Sequence, residues 1–237
     1  MSEMIPSQYF IFIGIGILVF VLLLLVSIGQ KYQAYQMQKE MTLRRMLRGV
    51  RHIEALLEQT RGAALPVELM IKLRKEVLAR YVAMHQIHKN IKGIEQDISN
   101  AQRALSAAES AGKPARQAVT DRLMLNRYAA GISALMQLLQ TEARFAGVSA
   151  QQKLDFLQQL ADLRADYLYD FHMAEGTGLA KQEMWSEAMQ HFKELMHMLQ
   201  ISNPSTPHVD KLFHEANLGY KRVSIKKIPG EVATPAA

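Results

Sequence analysis

The chain has 237 residues, a formal charge of +6 and no cysteine. That length accommodates a membrane anchor plus one or two domains. The lack of Cys excludes thiolate catalysis, disulfide frameworks and Cys-ligated zinc or iron–sulfur sites.

Residues 9–28, YFIFIGIGILVFVLLLLVSI, hold no charged side chain. Their length matches the roughly 20 apolar residues that a spanning helix needs, and a helix satisfies its own backbone groups in lipid. The run exceeds a signal-peptide core, its amino-terminal flank lacks Lys and Arg, and no A-x-A-like site follows Ser27. An uncleaved transmembrane helix is therefore expected. Glu3 is the only charge before it, whereas Lys31, Lys39, Arg44, Arg45, Arg48 and Arg51 follow. Positive charge near a span stays on the cytoplasmic side. Residues 1–8 are expected outside and the bulk in the cytoplasm, as a single-pass protein of a bacterial inner membrane. Gly14 and Gly16 lack the four-residue spacing of a dimerising pair, and no ionisable residue inside the run suggests a transport path.

From Lys31 to Thr60 the pattern is helical and continues from the span, with Gly29 as its weak point. Leu43, Met46, Val50, Ile53 and Leu57 recur at three- and four-residue steps. Gly62 and Pro66 end this helix and start the next. The second soluble helix is expected from Pro66 to Ala111, with a seam of Met84, Ile87, Ile91, Ile94, Ile98, Ala101 and Leu105. It would be on the order of 70 Å long, with a local bend at Gly93. Pro114 restarts a third helix, expected to reach Ala146, on a stripe of Leu125, Tyr128, Ile132, Leu135 and Leu139. A short connection makes such helices antiparallel neighbours. Residues 31–147 thus form a coiled-coil-like helical bundle built on a hairpin. The excess length of its seam calls for cover by the juxtamembrane helix or by a second copy in a homodimer.

Ser149 and Gln152 have capping-box spacing. The fourth helix carries Leu157, Leu160, Leu163, Tyr167, Leu168 and Phe171 inward, and Asp155, Asp162, Asp166, Asp170 and Glu175 outward. Gly176-Thr177-Gly178 is expected to end it. A fifth helix follows to about Leu199, interrupted or starting near residues 181–184. Pro204 and Pro207 bracket a turn, and Thr206 as N-cap opens a short helix to about Tyr220. Residues 149–220 make a small carboxy-terminal helical domain, and residues 221–237 a basic, disordered tail. No period-two alternation is present, so the fold class is all-α.

Little in the chain specifies chemistry. His85 and His88 lie one helical turn apart but have no third ligand at a matching spacing, and no HExxH pattern, phosphate loop or nucleophile elbow occurs. No enzyme, metal or cofactor is expected. Asp162, Asp166 and Asp170 recur every four residues as a negative stripe, which ordinarily means a solvated or partner-facing surface. Met184, Met189, Met196 and Met198 surround Trp185 and Phe192, a composition common in cores and also in adaptable binding surfaces. Together Asp162, Asp166, Asp170, Trp185 and Phe192 are the candidate partner-binding residues, suited to a basic amphipathic helix or an extended peptide.

Residues 178–199, GLAKQEMWSEAMQHFKELMHML, resemble the centre of a tetratricopeptide repeat. Trp185, Ala188 and Phe192 stand where that family has an aromatic, an Ala three residues on, and an aromatic four beyond. Gly176 stands where its first helix keeps a small residue. Glu183, Leu195 and Pro204 depart from the pattern. The resemblance covers one helical hairpin, about 172–203, and no whole-chain family; it implies helical-hairpin packing and a protein-binding habit.

The function expected from these features is a membrane-anchored cytoplasmic scaffold or adaptor subunit, binding other proteins of an envelope-associated assembly and the lipid bilayer. A coiled-coil signalling or regulatory transducer is the alternative. A membrane-tethered nucleic-acid binder would rest only on the charge at residues 31–61 and 221–237, without the interleaved aromatics or module that nucleic acid requires, so nucleic acid is not an expected partner.

Overall fold

The computed structural model describes residues 7–89, 91–112, 114–141 and 147–227, with side chains from Ile17 onward except Val19. Among the described residues there are seven helices and no strand, so the protein is all-α. They are α1 (Ser7–Gln59), α2 (Val67–Ile87), α3 (Ile94–Ser110), α4 (Arg122–Thr141), α5 (Ala150–Lys181), α6 (Trp185–Gln200) and α7 (Pro207–Lys227).

α1 is a single helix of 53 residues that passes Gly29 without a break. At 1.5 Å per residue it is about 80 Å long. Only its last turns enter the core: Val50 and Ile53 are fully buried, with Leu56 and Leu57 close behind, and Leu43 and Met46 pack at the edge. Towards the other end the side chains stand bare, with Ile17, Leu18, Phe20 and residues 21–26 and 28 between 45% and 64% exposed. Within the described side chains, which begin at Ile17 and skip Val19, no helix is long and apolar enough to cross a membrane. The backbone of residues 9–28 lies wholly inside α1.

The helix expected from Pro66 to Ala111 is instead two. α2 ends at His88, which is extended, and α3 starts after Gly93, whose φ of 85° is left-handed. Gly93 therefore turns the chain where a bend was expected, since a backbone conformation that glycine alone adopts freely cannot continue a right-handed helix. α2 and α3 fold onto each other. Met84, Ile94 and Ala101 are buried, while Ile87, Ile91, Ile98 and Leu105 are half-buried. The partner expected for this seam, residues 125–139, lies elsewhere.

The third helix starts late. The described residues among 111–121 are without helix, and α4 begins where the Asp121 carboxylate accepts a hydrogen bond from the Met124 backbone N–H at 2.7 Å. That is an N-cap satisfying one of the orphan amides of a helix start. Leu125, Tyr128, Ile132, Leu135 and Leu139 are each at most 2% exposed, as their spacing predicts. Burying each aliphatic one contributes about 2 kcal/mol. The expected end of this helix, residues 142–146, lies outside the described residues.

α5 has the predicted capping box, with both the Ser149 and the Gln152 side chains bonded to the other residue's backbone. It does not stop at Gly176-Thr177-Gly178 but runs on to Lys181. The chain turns at Glu183, which takes a left-handed φ of 63°. Thr206 caps α7 through a bond from the Val209 N–H to its Oγ1 at 3.2 Å. α7 continues through residues 221–227 of the expected disordered tail; residues 228–237 lie outside the described residues. α4, α5, α6 and α7 pack antiparallel in succession. One apolar cluster joins α1 to α7, crossing the 147–149 connection, and a small second one of Ala188, Phe192 and Val223 closes the far end.

Candidate functional site

The acidic stripe of α5 meets its neighbours within the fold. Asp166 accepts from Arg116 Nη1 at 3.4 Å and lies 2.7 Å from His208 Nε2. Asp170 pairs with Arg116 Nη2 at 2.6 Å. Asp162 accepts a hydrogen bond from the Thr206 hydroxyl, the same hydroxyl that caps α7. Arg116 also lies over the Tyr167 ring, 4.7 Å from its centroid, where a guanidinium is attracted to the π face. The stripe was expected to be a solvated or partner-facing surface; its three carboxylates also fasten Arg116 and the start of α7 to α5. Asp170 keeps the most solvent, with 61% of its side chain exposed.

Beside Asp162 and Asp166 opens a cleft of about 710 Å³ between α5, the start of α2 and the 111–121 segment. Its apolar wall is Leu65, Pro66, Val67, Pro114 and Leu163. Its charged groups are Glu68, Asp162 and Asp166 against the single cation Arg116. Such a volume, apolar with a few placed polar groups, is within the range of ligand clefts. The connection that forms its floor is pinned by a bond from the Ala64 N–H to the Tyr167 hydroxyl at 3.2 Å.

The other two candidate residues sit apart from this cleft. Phe192 is 2% exposed, inside the cluster with Ala188 and Val223, so its ring is interior in this structure. Trp185, the first residue of α6, is half-buried near Leu179 and Ala180, with Lys226 Nζ 5.8 Å from its ring centroid. From Asp162 to Ala180 is about 27 Å along α5. The acidic stripe and the Trp185–Phe192 hairpin are therefore two places, and the cleft opens beside the stripe.

A polar cluster also lies inside the helices. His172 is 1% exposed and neither ring nitrogen has a partner; the Nδ1 of His191 is likewise buried and unpartnered. The two rings are 5.4 Å apart. Glu194 comes within 4.0 Å of His172 Nδ1 and is held by Arg122 at 3.3 Å. Burial above all, then the neighbouring His191, pushes the His172 pKa down to about 4, so the ring is neutral near pH 7. Among the described residues no three His, Asp or Glu side chains gather to hold a metal ion. His85 sits in the last turn of α2 and His88 just beyond it, extended.

Arg116 and the cleft were missed in sequence because their signal is non-local. Arg116 is 50 residues from Asp166, and the segment around it carries no pattern until Asp121 starts a helix. Comparison with protein-family models, with curated proteins and with solved structures finds no match.

Proposed function

We propose that this chain is a membrane-anchored adaptor whose helical body takes a basic, apolar-flanked segment of a partner protein into the cleft beside Asp162 and Asp166. The observation that carries the anchor is the unbroken α1, which leaves the bundle as a bare apolar helix and contains all of residues 9–28. A row of leucines at 47–64% exposure is costly in water and favourable in hydrocarbon. The positive residues that follow support an amino terminus outside and a body in the cytoplasm of a bacterial inner membrane. Charge complementarity supports the partner's chemistry: three carboxylates face one guanidinium along a wall that is otherwise apolar but for Gln159. The helical-hairpin resemblance at residues 172–203 is consistent with a protein-binding role and adds no site to it.

The continuous α1 also favours the second reading, a transducer. A helix with no flexible joint between bilayer and core passes any rotation or tilt directly to the bundle. The two readings share the anchor and differ in whether partner binding alters α1.

Two arms test the proposal. Full-length protein should remain in the membrane fraction after a high-salt wash, and a reporter fused after Ala237 should behave as cytoplasmic; release by salt would remove the anchor. Glu68→Lys with Gln159→Lys places positive charge in the cleft without touching the internal pairs of Asp162, Asp166 and Asp170. Cross-linked partner recovery should fall about tenfold, as opposed charges across a contact do when reversed, at unchanged helicity and melting temperature. Unchanged recovery would remove the cleft as the docking site.

A further inference from the structure

The turn between α2 and α3 carries positive charge to a defined height. α2 runs back along α1: the Tyr81 hydroxyl is 3.5 Å from the Glu54 carboxylate, and the Arg80 guanidinium lies against Gly49. From Tyr81 to the end of α2 at Ile87 is about 9 Å further toward the bare end of α1. The turn therefore stands level with residues 44–48. There Lys89 and Lys92 are exposed, and so are Arg44, Arg45 and Arg48 on α1. Among the described residues only Arg44 of these five is paired with a carboxylate, Glu40 at 3.7 Å. The acids nearest in sequence are Glu95 and Asp97, in the first turn of α3, where the helix N-terminus favours them. Positive charge outweighs negative on this end of the bundle.

The height matters because of what lies below. From the end of the apolar run to Arg44 α1 rises about 24 Å. Headgroups fill the first 5–8 Å or so of that gap. The α2–α3 pair stands off α1 by roughly 8–10 Å, the usual interaxial distance. Spanning helices tilt by about 20° and as much as about 40°. A tilt toward α2–α3 brings the turn to on the order of 10 Å from the headgroups, one Debye length in physiological salt.

We propose that the α2–α3 turn, through Lys89 and Lys92 beside Arg44, Arg45 and Arg48, is a second contact with the anionic headgroup surface of the bilayer that α1 enters. This contact fixes the direction in which the bundle leans. It rests on the anchor reading above, and it assigns to the break at residues 88–93 a role that a continuous helix would lack.

The test uses the full chain reconstituted in vesicles of phosphatidylcholine, with or without phosphatidylglycerol. The chain has no native cysteine, so Gln86→Cys at the turn and Ser186→Cys at the far end take a fluorophore singly. The readout is quenching by a headgroup-attached quencher. With phosphatidylglycerol, quenching at position 86 should rise at least about twofold, while position 186 stays unchanged. The rise should vanish in Lys89→Glu/Lys92→Glu, and in wild type when salt shortens the Debye length from about 30 Å to about 3 Å. Equal quenching in both lipids, from protein that co-floats with both vesicles, overturns the contact and leaves the anchor standing. Protein that co-floats with neither overturns the anchor and the contact together. A response at position 86 to added RNA and not to phosphatidylglycerol assigns the basic end to nucleic acid and overturns the lipid contact.

Discussion

Phe192 of α6 lies so close to Gly176 of α5 that a methyl group on the glycine would sit 3.0 Å from the ring Cζ. Gly219 of α7 closes on the same ring, where a methyl group would come within 2.9 Å of Cε1. The ring is clamped by two helices whose backbones approach it directly. Gly176→Ala gains about 1 kcal/mol of helix propensity but overpacks a fixed ring, which costs about 1–3 kcal/mol. The expected result is a net loss of roughly 1 kcal/mol by urea unfolding, reduced when Phe192→Leu is added. Additive losses in the double variant would mean that the contact does not limit packing.

Gly93 gives a prediction whose sign separates two folds. Its left-handed φ makes an Ala there strained by about 1–2 kcal/mol, although no atom lies within 4 Å of the added methyl group. In a helix continuous from Pro66 to Ala111 the same Gly93→Ala change would stabilise by about 1 kcal/mol. Thermal unfolding should show a lower melting temperature and no gain of helicity.

His172 makes stability depend on pH in a predictable direction. Its folded pKa of about 4 lies below the ordinary 6.5, so the unfolded chain takes up its proton first as pH falls. The stabilisation is complete above about pH 6.5, declines as pH drops toward 4, and is flat below. The loss amounts to roughly 3 kcal/mol. His172→Leu removes the titration along with two unpartnered buried nitrogens. The variant should equal or exceed wild type at pH 7 and exceed it by roughly 2–3 kcal/mol at pH 4.5. Parallel stability curves for the two proteins would exclude this residue as the source.

Arg116 holds the 111–121 segment in place through Asp166, Asp170 and the face of Tyr167. The ion pairs are partly exposed and contribute little each, and the ring contact adds a similar amount. Arg116→Met should cost about 1–2 kcal/mol and increase proteolytic cleavage between residues 111 and 121 several-fold. Full protection of that segment would show that Val119, packed against the core, and Gln117, whose side-chain oxygen accepts from the Tyr128 hydroxyl at 3.0 Å, hold it without the guanidinium.

The stripe from Leu125 to Leu139 is legible in sequence because a half-buried helix repeats its apolar face every three or four residues. The caps at Ser149 and Thr206 are legible because each uses atoms within three residues. What escapes local pattern is decided by tertiary contact. Gly176 looks like a stop signal, yet α5 retains it inside the helix because only a glycine admits Phe192 so closely. Gly93 looks like a mild flaw in a long helix, yet its left-handed φ turns the chain so that α2 and α3 pack on each other. The acidic stripe at Asp162, Asp166 and Asp170 has the spacing of a solvated or partner-facing surface, and its partners Arg116, Thr206 and His208 are 42 to 54 residues away.

If α1 enters a bilayer as proposed, its unbroken passage through Gly29 makes the helix a lever with its fulcrum at the bilayer surface. The 31 residues from there to Gln59 are about 46 Å of rigid arm, and the bundle is fixed along its outer half by Val50, Ile53, Leu56 and Leu57. A change of about 20° in the inclination of the proposed membrane segment, within the range spanning helices adopt, would sweep the tip of that arm sideways by roughly 16 Å. The cleft beside Asp162 travels with it, so under that proposal the angle of one helix would set how far from its anchor the body can present that cleft.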